Sequence, residues 1–127
     1  MTLEQEWIIK AEHDLLSAKT LFEVGLYDTA MFHTQQCAEK SLKGFLAFHS
    51  KPIQKIHNLV VLNEQCKQIE LSFGQLQSAV LFLNNRDTGF RYPSEELNPT
   101  HEEITQAITY SENVFSFVKS LLKNKSL

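Results

Sequence analysis

Apolar residues recur at intervals of three and four along most of this chain, the pattern of helices that pack by one face. Trp7, Ala11, Leu15, Ala18 and Phe22 mark the first such face. Thr2 with Gln5 can form a capping box and Gly25 suits a helix end, so a first helix is predicted between them. A second is expected from a cap at Asp28 to about His49, where Ser50, Lys51 and Pro52 stop it. The connection between the two is very short, which predicts an antiparallel hairpin. Leu59, Leu62 and Cys66 indicate a shorter third helix from His57 to Gln68, with no good cap in front of it. Ser72 can cap a fourth, whose buried face is Phe73, Leu76, Val80 and Leu83. Thr100 and Glu103 repeat the capping-box signature before a last helix, with Ile104, Ala107, Ile108, Val114, Phe115, Val118 and Leu122 facing inward. Strand patterns and repeats are lacking. The expected fold is all-α, an antiparallel up-and-down bundle of four main helices plus one shorter helix, forming a single domain over residues 1–127.

The second predicted helix carries two stripes. Ala30, Thr34, Cys37, Ser41, Phe45 and Phe48 form an apolar one, while His33, Gln36, Lys40 and Lys43 recur on a neighbouring face. Such a polar stripe is either a solvated surface or a binding surface. Residues 87–100, DTGFRYPSEELNPT, break the helical period with Gly89, Pro93 and Pro99 but also hold Phe90 and Tyr92, so they read as a structured loop.

Charge sharpens that choice. A formal net charge of -3 argues against non-specific binding to a nucleic-acid backbone. Yet the only two arginines, Arg86 and Arg91, fall in or beside this loop, whereas lysines are spread along the chain. A guanidinium grips phosphate with two parallel hydrogen bonds, and an aromatic ring stacks on a base. Set beside Lys40 and Lys43, the loop would make a pocket for a nucleotide or an RNA end, with Arg91 and Tyr92 as its main contacts. In the competing reading Phe90 and Tyr92 plug the end of the bundle, and Arg86 and Arg91 pair with Glu95 and Glu96. His57, at the start of a helix, can donate to phosphate or transfer a proton, or simply cap its helix; His33 has similar standing.

Other chemistries fall away. A chain of 127 residues, 43% hydrophobic, is enough for one core. No apolar run reaches the roughly 20 residues that span a bilayer, and the acidic, amphipathic start does not resemble a signal peptide, so a cytoplasmic protein is expected. Cys37 and Cys66 lie inside predicted helices without a CxxC or Cys/His pattern and read as reduced core thiols. His101, Glu102 and Glu103 are consecutive on a helix and point in different directions, so no metal site is expected. Phosphate-loop, dinucleotide, zinc-protease and serine-hydrolase motifs are missing, and no cofactor is implied.

Several segments together resemble the HEPN domain, the higher eukaryotes and prokaryotes nucleotide-binding family. They are Trp7 with AEHDLLSAK at 11–19, GLYDTAMFHTQQCAEKSLKGFL at 25–46, the stretch from Pro52 to His57-Asn58-Leu59, and Arg91-Tyr92-Pro93. The resemblance implies a small stand-alone prokaryotic helical bundle that dimerises. It also implies a nucleotide-binding role, with Lys40, Lys43, Arg91, Tyr92 and His57 as candidate binding residues, and a minimal nucleotidyltransferase partner in a toxin–antitoxin-type pair. Many members are metal-independent ribonucleases using an arginine and a histidine a few residues apart. Here 14 residues separate Arg86 from His101 and nine separate Arg91 from it, so that spacing is absent. The expectation therefore leans away from an enzyme. An endoribonuclease in which His57 or His101 reaches Arg91 through the fold or across a dimer interface, or a purely structural interaction module, are the alternatives.

Overall fold

Thr2 begins the first helix as expected: its hydroxyl accepts the Gln5 N–H at 3.3 Å while the Gln5 side chain accepts the Thr2 N–H at 2.9 Å. A computed structural model describes residues 1–84 and 99–125 of the chain. Its α-helices are α1 (Leu3–Glu23), α2 (Tyr27–Phe48), α3 (Leu59–Ile69), α4 (Gln77–Asn84) and α5 (His101–Lys125), and no strand occurs among the described residues. The all-α expectation holds. Residues 85–98, with Arg86, Phe90, Arg91 and Tyr92, lie outside the described residues.

The first two helices end by the same device. Past α1, Gly25 takes φ +84° while Leu26 N–H donates to the Leu21 carbonyl at 2.9 Å and Gly25 N–H to that of Phe22 at 3.1 Å. This left-handed cap turns the chain so sharply that α2 starts at Tyr27, before the expected cap. Asp28 sits inside the first turn, its carboxylate accepting the neighbouring Thr29 N–H at 2.8 Å. Past α2, Ser50 adopts φ +56°, with Lys51 N–H donating to Leu46 and Ser50 N–H to Ala47, both at 3.0 Å. A serine thus occupies a position that favours glycine.

α3 does have a cap, which the sequence reading missed: the Asn58 side chain accepts the N–H groups of Val60 at 2.9 Å and Val61 at 3.1 Å. The fourth helical stretch opens differently from its predicted cap at Ser72. Leu71–Leu76 forms a 3-10 helix, and α geometry starts only at Gln77. Ser72 and Gly74 are weak helix formers, and the buried Asn63 amide donates to the Phe73 carbonyl at 3.1 Å. α5 begins with the second capping box: Thr100 and Glu103 exchange hydrogen bonds of 3.0 Å.

α1 and α2 make the most extensive helix pairing, and α2 is the central helix, touching α1, α3, α4 and α5. Trp7 meets Gly44 and Asp14 meets Lys40, so α1 and α2 run antiparallel. A Cβ on Gly44 would stand 3.2 Å from Ile8 Cδ1 and 3.3 Å from Trp7 Cβ; the missing side chain lets the two helices approach. α5 runs antiparallel to α1, with Lys19 opposite Glu112 and Lys119 opposite Glu12. The core gathers Leu42, Phe45, Leu59, Leu62, Cys66, Phe73, Val80, Leu83, Ile104, Val114 and Val118, which were predicted inward apart from Leu42.

Candidate functional site

The polar stripe of α2 is not a solvated face. His33 and Lys40 turn toward α1 and converge on one side chain, Asp14. Lys40 Nζ donates to Asp14 Oδ2 at 2.6 Å, and His33 Nδ1 lies 2.7 Å from Oδ1. Asp14 is itself buried, so its charge needs such partners to be tolerated there. Lys43 is deeper, with a side chain only 6% exposed. It donates to Glu39 Oε2 at 3.0 Å, one turn back on the same helix, and its ammonium stands 5.8 Å from the centre of the Trp7 ring.

Glu39 holds a third group. His57 Nδ1 lies 3.1 Å from Oε2 and 3.3 Å from Oε1, although the histidine stands outside the helix in the α2–α3 connection. Exposure divides the three: Glu39 and Lys43 are 9% and 6% exposed at their side chains, His57 is 69% exposed. A carboxylate that accepts from Nδ1 fixes the neutral ring as the Nδ1–H tautomer and leaves Nε2 free to meet a ligand from solvent. A buried anchor with an exposed working atom is how proton-transfer and anion-binding histidines are held in place.

The candidate residues thus separate into layers. Lys40 and Lys43 lie on one helix but answer to different carboxylates, and His57 shares the Glu39 cluster with Lys43. Arg91 and Tyr92 lie outside the described residues. The last residues before that segment are firmly placed. Gln35 donates to the Leu83 carbonyl at 3.0 Å, one turn along α2 from Glu39, and the Asn84 side chain accepts the Leu59 N–H at 2.9 Å, two residues past His57. His101 joins neither cluster: its ring packs 5.2 Å from Phe22 and 6.0 Å from Tyr27.

Asp14 and Glu39 are the functional-site residues that sequence reasoning passed over. Glu39 and Lys43 form an i,i+4 pair legible in AEKSLK. Asp14 interrupts the apolar face of the first helix between Ala11 and Ala18, and an acid in a core stripe calls for a buried cation. The cysteines are buried and free. Burial pushes the Cys37 thiol up to about 11 and that of Cys66 to about 12, so both stay protonated core groups at neutral pH. Among the described residues no three His, Cys, Asp or Glu side chains gather as a metal site requires, and no helix is long and apolar enough to cross a membrane.

Comparison with known proteins agrees with this architecture. The model of the HEPN domain matches residues 4–121. A protein of Methanocaldococcus jannaschii named "Putative toxin" is 29% identical over 136 residues, covering 94% of this chain and 88% of that protein. The crystal structure of an archaeal HEPN homologue is 27% identical, covers 95% of this chain and 98% of its own, and superposes with a TM-score of 0.75. A Thermus thermophilus protein shares the fold at 24% identity and a TM-score of 0.78, covering 94% of this chain and 98% of its own.

Proposed function

This chain belongs to the HEPN domain family, and on that premise we propose that it is a toxin-like module that binds a nucleotide or an RNA end and works with a nucleotidyltransferase partner in a toxin–antitoxin-type pair. The observation that carries the reading is the presentation of His57: an exposed imidazole held through Nδ1 by the buried Glu39, which Lys43 neutralises from behind. The similarity to the M. jannaschii protein with a toxin name supports the toxin side of the pair.

In this reading His57 and Arg91 contact phosphate and Tyr92 covers the base. Lys40 and Lys43 support the site from beneath, because their ammonium groups are engaged by Asp14 and Glu39 and would have to leave those carboxylates to touch a ligand. The module acts as a cytoplasmic homodimer.

One observation favours a second reading. A histidine oriented by a carboxylate is suited to accept the proton of a ribose hydroxyl, which is the work of a metal-independent endoribonuclease; the absent Arg-to-His spacing weighs against it. The two readings part in one experiment. Titration with mononucleotides and short RNAs in the presence of a chelator should show binding without cleavage. RNA cleavage that survives chelation and is lost in His57→Ala makes the protein a nuclease instead.

A further inference from the structure

A groove of about 580 Å³ runs between the N-terminal half of α1 and the C-terminal end of α5, where Phe48 at the end of α2 also reaches it. Its floor is apolar, made by Ile8, Phe48 and Leu122. Its two sides carry opposite charge: Glu4 and Glu12 stand on the α1 side, Lys119 and Lys123 on the α5 side. Lys119 meets Glu12 across one end at 3.9 Å. Among the described residues the side chains of Glu4 and Lys123 have no hydrogen bond or ion pair, although Glu4 is half-buried.

The lining narrows the occupant. A wholly apolar molecule would fill the floor but cover the Glu4 carboxylate without giving it a partner, which costs free energy. A detergent-like anion would satisfy Lys123 and face Glu4 and Glu12 across the groove. A helix meets both sides at once. Two antiparallel helices leave a straight seat for a third, and the stretch from Met1 to Glu12 is about 17 Å long, three helical turns. An apolar stripe on such a helix fills the floor, while charges flanking the stripe meet the two sides, as edge positions do in helical seams where they set partner and direction.

We propose that this groove docks an amphipathic helix of a partner protein, with basic residues along the edge that faces Glu4 and Glu12 and acidic residues along the edge that faces Lys119 and Lys123. The charges also fix the direction in which the helix lies, since turning it end for end exchanges its two edges. The groove shares no residue with the Glu39, Lys43 and His57 cluster and stands apart from the function proposed above, so either can fail alone.

The test is a titration of the isotope-labelled full chain with three leucine-striped helical peptides of about 15 residues, four turns, followed by nuclear magnetic resonance. One carries lysines along one edge of the stripe and glutamates along the other; the second carries lysines on both edges and the third glutamates on both. The mixed peptide should move the backbone amide signals of Ile8, Leu122 and Lys123 saturably. It should bind about tenfold tighter than either uniform peptide, the scale of two exposed charge pairs gained or lost. Lys123→Glu, at an exposed site, should weaken the mixed peptide and tighten the all-lysine one. Signals that stay in place, equal affinity for all three peptides, or affinities unchanged by Lys123→Glu in a variant with native circular dichroism overturn the proposal. A mixed peptide that halves the mass of the chain in light scattering marks the groove as the seat of a second copy and overturns it too.

Discussion

Glu39 sets the character of the polar side of α2, because one buried carboxylate serves both Lys43 and His57. Replacing it by glutamine would leave a nearly buried ammonium without its counter-charge. Glu39→Gln should therefore cost about 3 kcal/mol in urea unfolding, the scale for breaking a buried pair from one side. Glu39→Leu combined with Lys43→Met should recover most of that loss, since His57 is exposed enough to be hydrated alone. An unchanged urea midpoint in Glu39→Gln would show that the pair is not structural. The buried thiols give a second residue-scale expectation. Their values in the fold, about 11 and 12, lie above the unfolded reference of 9.0, so above pH 9 the unfolded chain sheds protons that the native one keeps. Stability should fall as pH rises from 9 toward those native values, and less steeply in a Cys37→Ala, Cys66→Ala variant measured in parallel. Equal slopes would contradict it. Lys40 and Lys43 were legible as a stripe but not as an occupied one, because periodicity says which residues share a face and not which residue of another helix meets them.

At the scale of elements, local signals translated best where the cap is a side chain close in sequence. Both capping boxes formed, at Thr2 with Gln5 and at Thr100 with Glu103. The starts of α2 and α4 moved because backbone turns and tertiary hydrogen bonds decided them: the left-handed Gly25 for one, the Asn63–Phe73 bond for the other. Ser50 is the element-scale test. A non-glycine residue at φ +56° carries a steric cost that glycine avoids, while its hydrogen-bonded cap would be kept. Ser50→Gly should stabilise the fold by about 1 kcal/mol, raising the melting temperature by about 4 °C, whereas Ser50→Val should lower it. A lower melting temperature in Ser50→Gly would mean that the serine side chain contributes more than its backbone strain costs.

On the scale of the whole molecule, the bundle was readable because every predicted core face points inward, and the HEPN family and its fold follow. The surface was harder to read. Phe45 is fully buried and Phe117 packs on Phe73, so neither supplies surface to a partner. Leu3, Ile9 and Leu16 on α1 instead remain 53%, 38% and 56% exposed, and the last two share one face of the helix. The proposed homodimer should therefore bury α1. Light scattering at tens of micromolar should report twice the chain mass, and Ile9→Glu with Leu16→Glu should reduce it to one; a wild-type monomer would contradict the dimer.

In the proposed phosphate-recognition site, the exposed, carboxylate-held His57 and Arg91 both contact the ligand. Its most direct test is calorimetric titration of short single-stranded RNA into the wild-type chain, His57→Ala and Arg91→Ala, with helical circular dichroism confirming that each is folded. Saturable binding by the wild type, weakened by about 1.5 to 3 kcal/mol in each variant, is the predicted result. Affinity that is the same in all three proteins, or a wild-type chain that binds no RNA and no mononucleotide, would contradict it.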